Sequence, residues 1–275
     1  MDLRLIITLT EHRVLGYLFV PYLVRRIRKE QKYSIFERIT TLNIATYENI
    51  LSPEELQLVK IIEEYSDQHL QKMFSKKKNQ ATRDFIATIS EEMLEKHIRT
   101  YIEKRLTRCL DILLYAPIDI YHKDLQNIIY EEDRIKVVQE EGSAVFHFTR
   151  TGEGLKYYLS IEHNDKELSL KGKNGIIPVN DPCCVVLNDK LFVFRDIDGK
   201  KLLPFFEKDY ISIPKSAERK YFDTFVRNTI KRYKVRAEGF SIIDQAAEPR
   251  PVLSIEPDLT NRYHFLLRFV YNEKS

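Results

Sequence analysis

The densest group of chemistry-bearing residues lies in the last quarter of the chain. Arg227, Lys231, Arg232, Lys234 and Arg236 fall within ten residues, with no acid among them. Cations at this density can neutralise nucleic-acid phosphates, a contact that needs positive charge and carries no base readout. On a helix, Arg227 and Lys231 are i,i+4 neighbours on one side. The same run also fits a plain solvated helix face whose like charges water screens. Arg25, Arg26, Arg28 and Lys29 form a sparser basic cluster. Lys76-Lys77-Lys78 suits the end of a helix electrostatically.

Acidic chemistry is thinner. Glu162, Glu167 and Lys171 could meet across one hairpin, as the carboxylates and lysine of a metal-dependent nuclease would, though exposed strand faces commonly carry such residues. Asp196-Ile197-Asp198-Gly199 invites a calcium reading. Lys200 and Lys201 follow, where further oxygen ligands belong, so a hairpin turn is expected instead. The seven histidines are scattered. There is no G-x-x-x-x-G-K-S/T to cradle a nucleotide phosphate, and no G-x-G-x-x-G, G-x-S-x-G or H-E-x-x-H. The expectation is a chain with no catalytic residues of its own, no metal site and no cofactor. The three cysteines, Cys109, Cys183 and Cys184, lack zinc-ligand spacing and read as buried thiols of a reducing compartment.

The 275 residues are 43% apolar and 31% charged, enough to bury a core. A net charge of +3 is too small to imply nucleic acid, so a DNA role must come from a local patch. Only 8 glycines argue against phosphate loops and turn-dense barrels. The longest apolar stretch, Val14–Val24, contains Gly16 and Pro21 and is shorter than the ~20 residues of a membrane span. A cytoplasmic chain with no membrane span is expected.

The elements that must position these residues follow from period and punctuation. Leu3–Thr10 and Val14–Val24 read as a hairpin, with Pro21 at an edge or bulge. Ser52-Pro53-Glu54-Glu55 starts a helix on which Leu58, Ile62, Tyr65, His69 and Met73 recur. A second helix starts at Ser90, with Leu94, Ile98, Tyr101, Ile102, Cys109 and Leu113 apolar and Lys96, Arg99, Glu103, Lys104 and Arg108 polar, and stops at Pro117. The pair can form a helical hairpin. After Glu140-Glu141-Gly142, residues 145–213 read as an antiparallel β-meander. Leu155, Tyr157, Leu159 and Ile161 alternate with polar residues, and Asn164-Asp165, Asn188-Asp189 and Asp198-Gly199 make the turns. Ser216 caps a helix through about Tyr233, with Tyr221, Phe222, Phe225, Val226 and Ile230 apolar. Strands Val235–Ile243, Val252–Glu256 and Tyr263–Tyr271 finish the chain. The fold class is α+β: an N-terminal β-hairpin plus helical hairpin (1–140), then an antiparallel β-meander with one packed helix of about 216–233 (141–275).

The segment PRPVLSIEPDLTNRYHFLLRFVY, Pro249 to Tyr271, has a proline-led strand with acids after it, then the strand Leu267-Arg268-Phe269-Val270-Tyr271. With EHRVLGYLFVPYL (Glu11–Leu23) and DIDGKKLLPFF (Asp196–Phe206), it resembles the accessory region that precedes the motor in bacterial Swi/Snf-type helicase-like ATPases. The resemblance implies that the intact protein hydrolyses ATP and translocates on duplex DNA. This part would help bind DNA or regulate the motor domain of the same polypeptide. The family's nucleotide- and Mg²⁺-binding residues have no counterpart here, and a chain stopping just after a strand suits a boundary before the motor. Two other readings stay open: a protein-interaction scaffold whose edge strands a partner augments, and the nuclease of Glu162, Glu167 and Lys171.

Overall fold

The computed structural model describes residues 3–27, 30–77, 79–123, 127–171, 175–240, 249–257 and 263–271. β1 (Leu3–His12) and β2 (Gly16–Arg26) form the expected hairpin, paired from Leu3↔Arg25 to His12↔Gly16. Gly16 turns at φ +78°, and a Cβ there would lie 2.9 Å from Arg99 Nη1. Arg99 donates to the Leu15 and Pro178 carbonyls at 2.5 and 2.8 Å, so it ties the hairpin turn to a distant strand. β3 (Lys32–Arg38) pairs with β2 only from Tyr22 onward, with an irregularity at Leu23/Val24. Pro21 lies just past this ladder, where its missing N–H costs nothing.

Helix α1 (Pro53–Glu63) begins at the expected Ser52 start, which the structure makes a capping box: Glu55 N–H donates to Ser52 Oγ at 3.2 Å, and Ser52 N–H to Glu55 Oε2 at 2.7 Å. Losing the cap in Ser52→Ala is expected to cost about 1 kcal/mol, measured as a shifted urea midpoint at unchanged slope. The helix does not run on to Met73. It breaks at Glu64–Ser66, and Ser66 caps a new helix, α2 (Asp67–Phe74), accepting from His69 N at 3.3 Å. The break shifts the helical phase, so Leu70 is buried in place of His69, and Met73 faces solvent. Tyr65, at the break, is buried and donates to the Phe19 carbonyl at 3.0 Å.

α3 (Thr82–Ala87) leads to the second long helix, which starts at Ser90 as expected: α4 (Glu91–Met93), a π-turn Leu94–Ile98, then α5 (Arg99–Leu113). Ile98, Ile102, Leu106, Cys109, Leu110 and Leu113 are buried. Glu64, just past α1, takes Arg105 and Arg108 of α5 at 3.1 and 3.0 Å. Two expected solvent-side residues, Arg99 and Glu103, are instead largely enclosed and pair at 3.4 Å, because strand neighbours of α5 cover that side.

Strands β4 (Ile120–Lys123), β5 (Ile128–Tyr130) and β6 (Arg134–Val137) precede position 140. β7 (Ser143–Thr151), β8 (Gly154–His163), β9 (Lys166–Ser169), β10 (Ile176–Val179), β11 (Cys183–Leu187) and β12 (Lys190–Phe194) follow. The expected meander is divided between two sheets. β10–β12 join the N-terminal strands in a nine-stranded sheet ordered β10-β11-β12-β6-β4-β1-β2-β3-β5. The cause is legible in β11, where Cys183-Cys184-Val185-Val186-Leu187 is buried at every position. A strand apolar on both faces needs cover on both, and a half-solvated meander cannot supply it. β7 and β8 enter the second sheet, where β7 is buried from Ala144 to Phe148 and exposed at its far end.

Asn164-Asp165 and Asn188-Asp189 are two-residue hairpin loops with φ of 49° and 56°, and 49° and 57°, the positive pair a type I′ turn demands. Asp198-Gly199 is not a hairpin turn. Asp198 Oδ1 accepts from Lys200 N at 2.8 Å and caps a 3₁₀ turn, Gly199–Lys201. Glycine is needed there because a Cβ would come within 2.7 Å of Ile177 Cγ2.

Cys109, Cys183 and Cys184 are free and buried. Burial pushes the Cys109 and Cys183 thiols up to about 12, so they stay protonated and poorly nucleophilic at neutral pH. The folded chain is expected to resist iodoacetamide and to react at all three cysteines once unfolded, as read by intact mass.

The short helix α6 (Pro204–Glu207) and β13 (Ile211–Pro214) lead into α7 (Lys215–Tyr221), a π-turn Phe222–Val226 and α8 (Arg227–Ile230), followed by β14 (Lys234–Glu238). Ser216 is not the cap: β13 runs straight into the helix, and Pro214 holds the N-cap position. The helix ends near Ile230, short of Tyr233. The expected strand Val235–Ile243 is realised as β14, and positions 241–243 lie outside the described residues. The second sheet is ordered β13-β8-β7-β14, with β9 on β8.

The chain divides into two compact units, Met1–Arg236 and Ala237–Ser275. The second holds the hairpin β15 (Pro249–Pro257) and β16 (Tyr263–Tyr271), with Leu253 opposite Leu267. Among the described residues, no helix is long and apolar enough to cross a membrane.

Candidate nucleic-acid interface

The helix from Lys215 to Ile230 packs one side on the second sheet. Phe225 sits 5.1 Å from Tyr157 and 6.0 Å from Phe146, centroid to centroid, and Tyr221 is 6.2 Å from Tyr157. The alternation of β7 and β8 puts Phe146, Phe148 and Tyr157 on this face. The π-turn inserts an extra residue, rotating everything after it by roughly 100°. Glu218, Val226 and Thr229 also lie on the buried side. The Thr229 hydroxyl is satisfied by the Phe225 carbonyl at 2.7 Å.

Glu218 is a carboxylate only 5% exposed. Arg150, half exposed on β7, places Nε 2.6 Å from Glu218 Oε1 without aligning its N–H on that oxygen, so the attraction is mainly Coulombic. The one buried acid of the helix is thereby neutralised from beneath.

The solvent side is basic. Lys215, Arg219, Lys220, Arg227, Lys231 and Arg232 are all exposed, and none pairs with another described residue. Asp223 is the exposed acid of this helix. Of the five clustered cations, the structure leaves Arg227, Lys231 and Arg232 on this face. Lys215, Arg219 and Lys220 precede Asp223 and escape a search for an acid-free run. The signal for them is membership of the same helix.

Lys234 and Arg236 are different. Lys234 Nζ binds Glu162 Oε1, and Arg236 binds Glu162 Oε2 at 2.9 Å and Glu167 Oε2 as well. The hydrogen bond from Lys234, with Arg236 beside it, holds the Glu162 carboxyl below the usual range. Glu162 and Glu167 do face each other across β8–β9. Lys171 is bound to Asp209 instead, and the two carboxylates are engaged by cations rather than left converging on open space.

The sparser basic cluster lies at the end of β2, in the nine-stranded sheet. Arg25 is half-buried with its guanidinium 5.4 Å from the Phe36 ring centroid, and Arg26 is exposed. Arg28 and Lys29 lie outside the described residues, as does Lys78 of the lysine run.

Two histidine arrangements resemble catalytic geometry and fail on detail. His147 Nε2 is 2.8 Å from Ser160 Oγ and 2.9 Å from Glu167 Oε1. Serine and acid share one ring nitrogen, whereas a nucleophile relay needs them on opposite nitrogens. His12 borders a cleft of about 490 Å³ that also meets Phe19, Arg38, Asp67 and Thr82. Its Nδ1 accepts from Val14 N and Leu15 N at 3.2 and 3.1 Å, while Nε2 lies 3.5 Å from Asp67. Both nitrogens are committed, and the hydrogen bond from His12 holds the Asp67 carboxyl below its usual range.

Comparison with protein-family models, curated proteins and solved structures finds no match for this chain.

Proposed function

We propose that this chain is a non-catalytic accessory region of a larger DNA-dependent, helicase-like ATPase, and that the solvent face of α7–α8 contacts the phosphate backbone of duplex DNA. The observation that carries the reading is six exposed cations, unpaired among the described residues: four on a helix whose other side is anchored to a sheet, and two in the turn that ends it. A rigid cationic face can track phosphates without the entropy loss of ordering a loop. Phosphate contacts carry no sequence information, which suits a part that helps hold DNA for a motor at any sequence. The resemblance of Pro249–Tyr271, Glu11–Leu23 and Asp196–Phe206 to motor-preceding regions supports the larger assembly, and such a role is cytoplasmic. Duplex binding followed by fluorescence anisotropy over a salt series, with Arg227, Lys231 and Arg232 reversed to glutamate as the comparison, tests the DNA contact. No salt-sensitive binding by the unaltered chain would remove it.

A second reading, a protein-interaction scaffold, is favoured by β15–β16. Leu253, Ile255 and Leu267 are 59%, 55% and 58% exposed, and a lone two-stranded hairpin is marginal in water. A motor domain of the same polypeptide would be a natural cover for such a surface. A stoichiometric partner recovered with the chain, in the absence of any DNA binding, would favour the scaffold over the DNA contact.

A further inference from the structure

β15 and β16 form a two-stranded sheet, and among the described residues neither outer edge pairs with another strand. The two edges differ in sequence. β15 carries Pro249, Pro251 and Pro257, all at odd positions. Proline has no N–H, so it fits a strand where that group would turn outward. The odd positions of β15 therefore lie on its outer edge, which the prolines close to a further strand. Paired residues of an antiparallel ladder turn their backbone groups alike, either to each other or away. The odd positions of β16 pair with those of β15, so they too present N–H and C=O to the outside. β16 has no proline or glycine over its nine residues, and Arg268 is its one Lys, Arg, Asp or Glu. Its edge is open where that of β15 is closed.

We propose that this open edge pairs with β16 of a second copy of the chain, antiparallel about a two-fold axis at Leu267. The inference rests on the scaffold reading of this hairpin, with a second copy as the partner, and is independent of the DNA contact. The alternate positions Tyr263, Phe265, Leu267, Phe269 and Tyr271 read the same in both directions. A two-fold at Leu267 sets Leu267 opposite its own copy, Phe265 opposite Phe269 and Tyr263 opposite Tyr271. Each residue type meets its own kind, and cross-strand aromatic pairs are stabilising. Exchanges at these positions supply about ten backbone hydrogen bonds. Between them, Arg268 comes opposite Leu266 and His264 opposite Val270, so no cation meets its own copy. A two-fold contact requires such a self-complementary surface. The product is a four-stranded sheet with a proline-bearing strand at each end, in place of a lone hairpin that is marginal in water.

The test is the mass of the whole chain in solution, by sedimentation across a concentration series, with a crosslink that reads the register. A reversible dimer is expected at micromolar concentration. Leu267→Lys sets two like charges directly opposite each other and should weaken the dimer about tenfold. Leu267→Glu should do the same, and mixing the two variants should restore dimers that neither forms alone. Leu267→Cys should give a disulfide-linked dimer under mild oxidation, because Cα atoms of a hydrogen-bonded pair lie about 5.5 Å apart, within disulfide reach. The chain's own three cysteines are buried, so the introduced thiol alone reports. Leu253→Cys is the control: Leu253 is 59% exposed against 58% for Leu267. Three strand spacings, about 14 Å, would separate it from its copy. The cysteine variant keeps position 267 uncharged, which covers the case where the charged variants fail to fold. A chain that stays monomeric, a dimer that Leu267→Lys leaves unchanged, or equal crosslinking at the two positions overturns the proposal. A monomeric chain that recovers a different stoichiometric partner leaves the scaffold reading standing and removes the second copy.

Discussion

Reversing Arg227, Lys231 and Arg232 to glutamate is expected to abolish measurable duplex binding while the fold stays intact. Each cation on a phosphate releases counterions, so affinity falls with salt at a slope of about 0.9 per contact. Three lost contacts should flatten the slope by about 2.7, and three new acids add repulsion, so a loss of at least 100-fold at low salt is expected. The loss should be the same on unrelated duplex sequences, because backbone contacts carry no base information. All three side chains are exposed and unpaired among the described residues, so the stability read from urea unfolding should change by no more than about 0.5 kcal/mol. A variant that keeps its salt-dependent binding would place the DNA contact elsewhere or nowhere.

Phe148→Ala should do the opposite: a large loss of stability, with binding lost only in proportion to the unfolded fraction. Phe148 is 0% exposed and packs on Tyr157 at 5.7 Å, Phe146 at 6.2 Å and Phe225 at 6.2 Å. Removing its ring empties the contact between sheet and helix and costs about 3–5 kcal/mol. Against a usual net stability of roughly 5–15 kcal/mol that is a large share. Chemical denaturation should show the midpoint fall. Tight binding by the remaining folded fraction would confirm that the ring acts through the platform and does not touch DNA. The two variants together separate the charged face from the surface that carries it. A fall of less than about 1 kcal/mol would mean that the helix is not anchored through this ring.

Much of the local architecture was legible in the sequence because its causes are local. The capping box at Ser52, the cap at Ser90 and the Asn-Asp loops are decided by residues within four positions of each other. The alternation along β8 reports which face is wet, and the basic helix was placed to within a few residues at each end. Other features were hidden. The break before Ser66 competes with an unbroken apolar period, and only burial of Tyr65 against the Phe19 carbonyl shows why the chain turns there. The π-turn at Phe222–Val226 leaves no mark in composition, and nothing in the apolar period announces it.

The acid-free run from Arg227 to Arg236 is where the two kinds of information part. By itself the sequence determined that a helix with a basic flank exists near residue 227, since amphipathic period and charge content are properties of neighbouring residues. It could not say which of those charges are free. Glu162 and Glu167 lie 69–74 residues from the cations they hold, and whether they meet depends on β8, β9 and β14 being brought together. An ion pair depends on distance in space, which no spacing along the chain encodes. The same holds for β10–β12, whose pairing with β6 decides which sheet they enter. Tertiary structure thus decided both the platform beneath the candidate interface and how much of its charge is available.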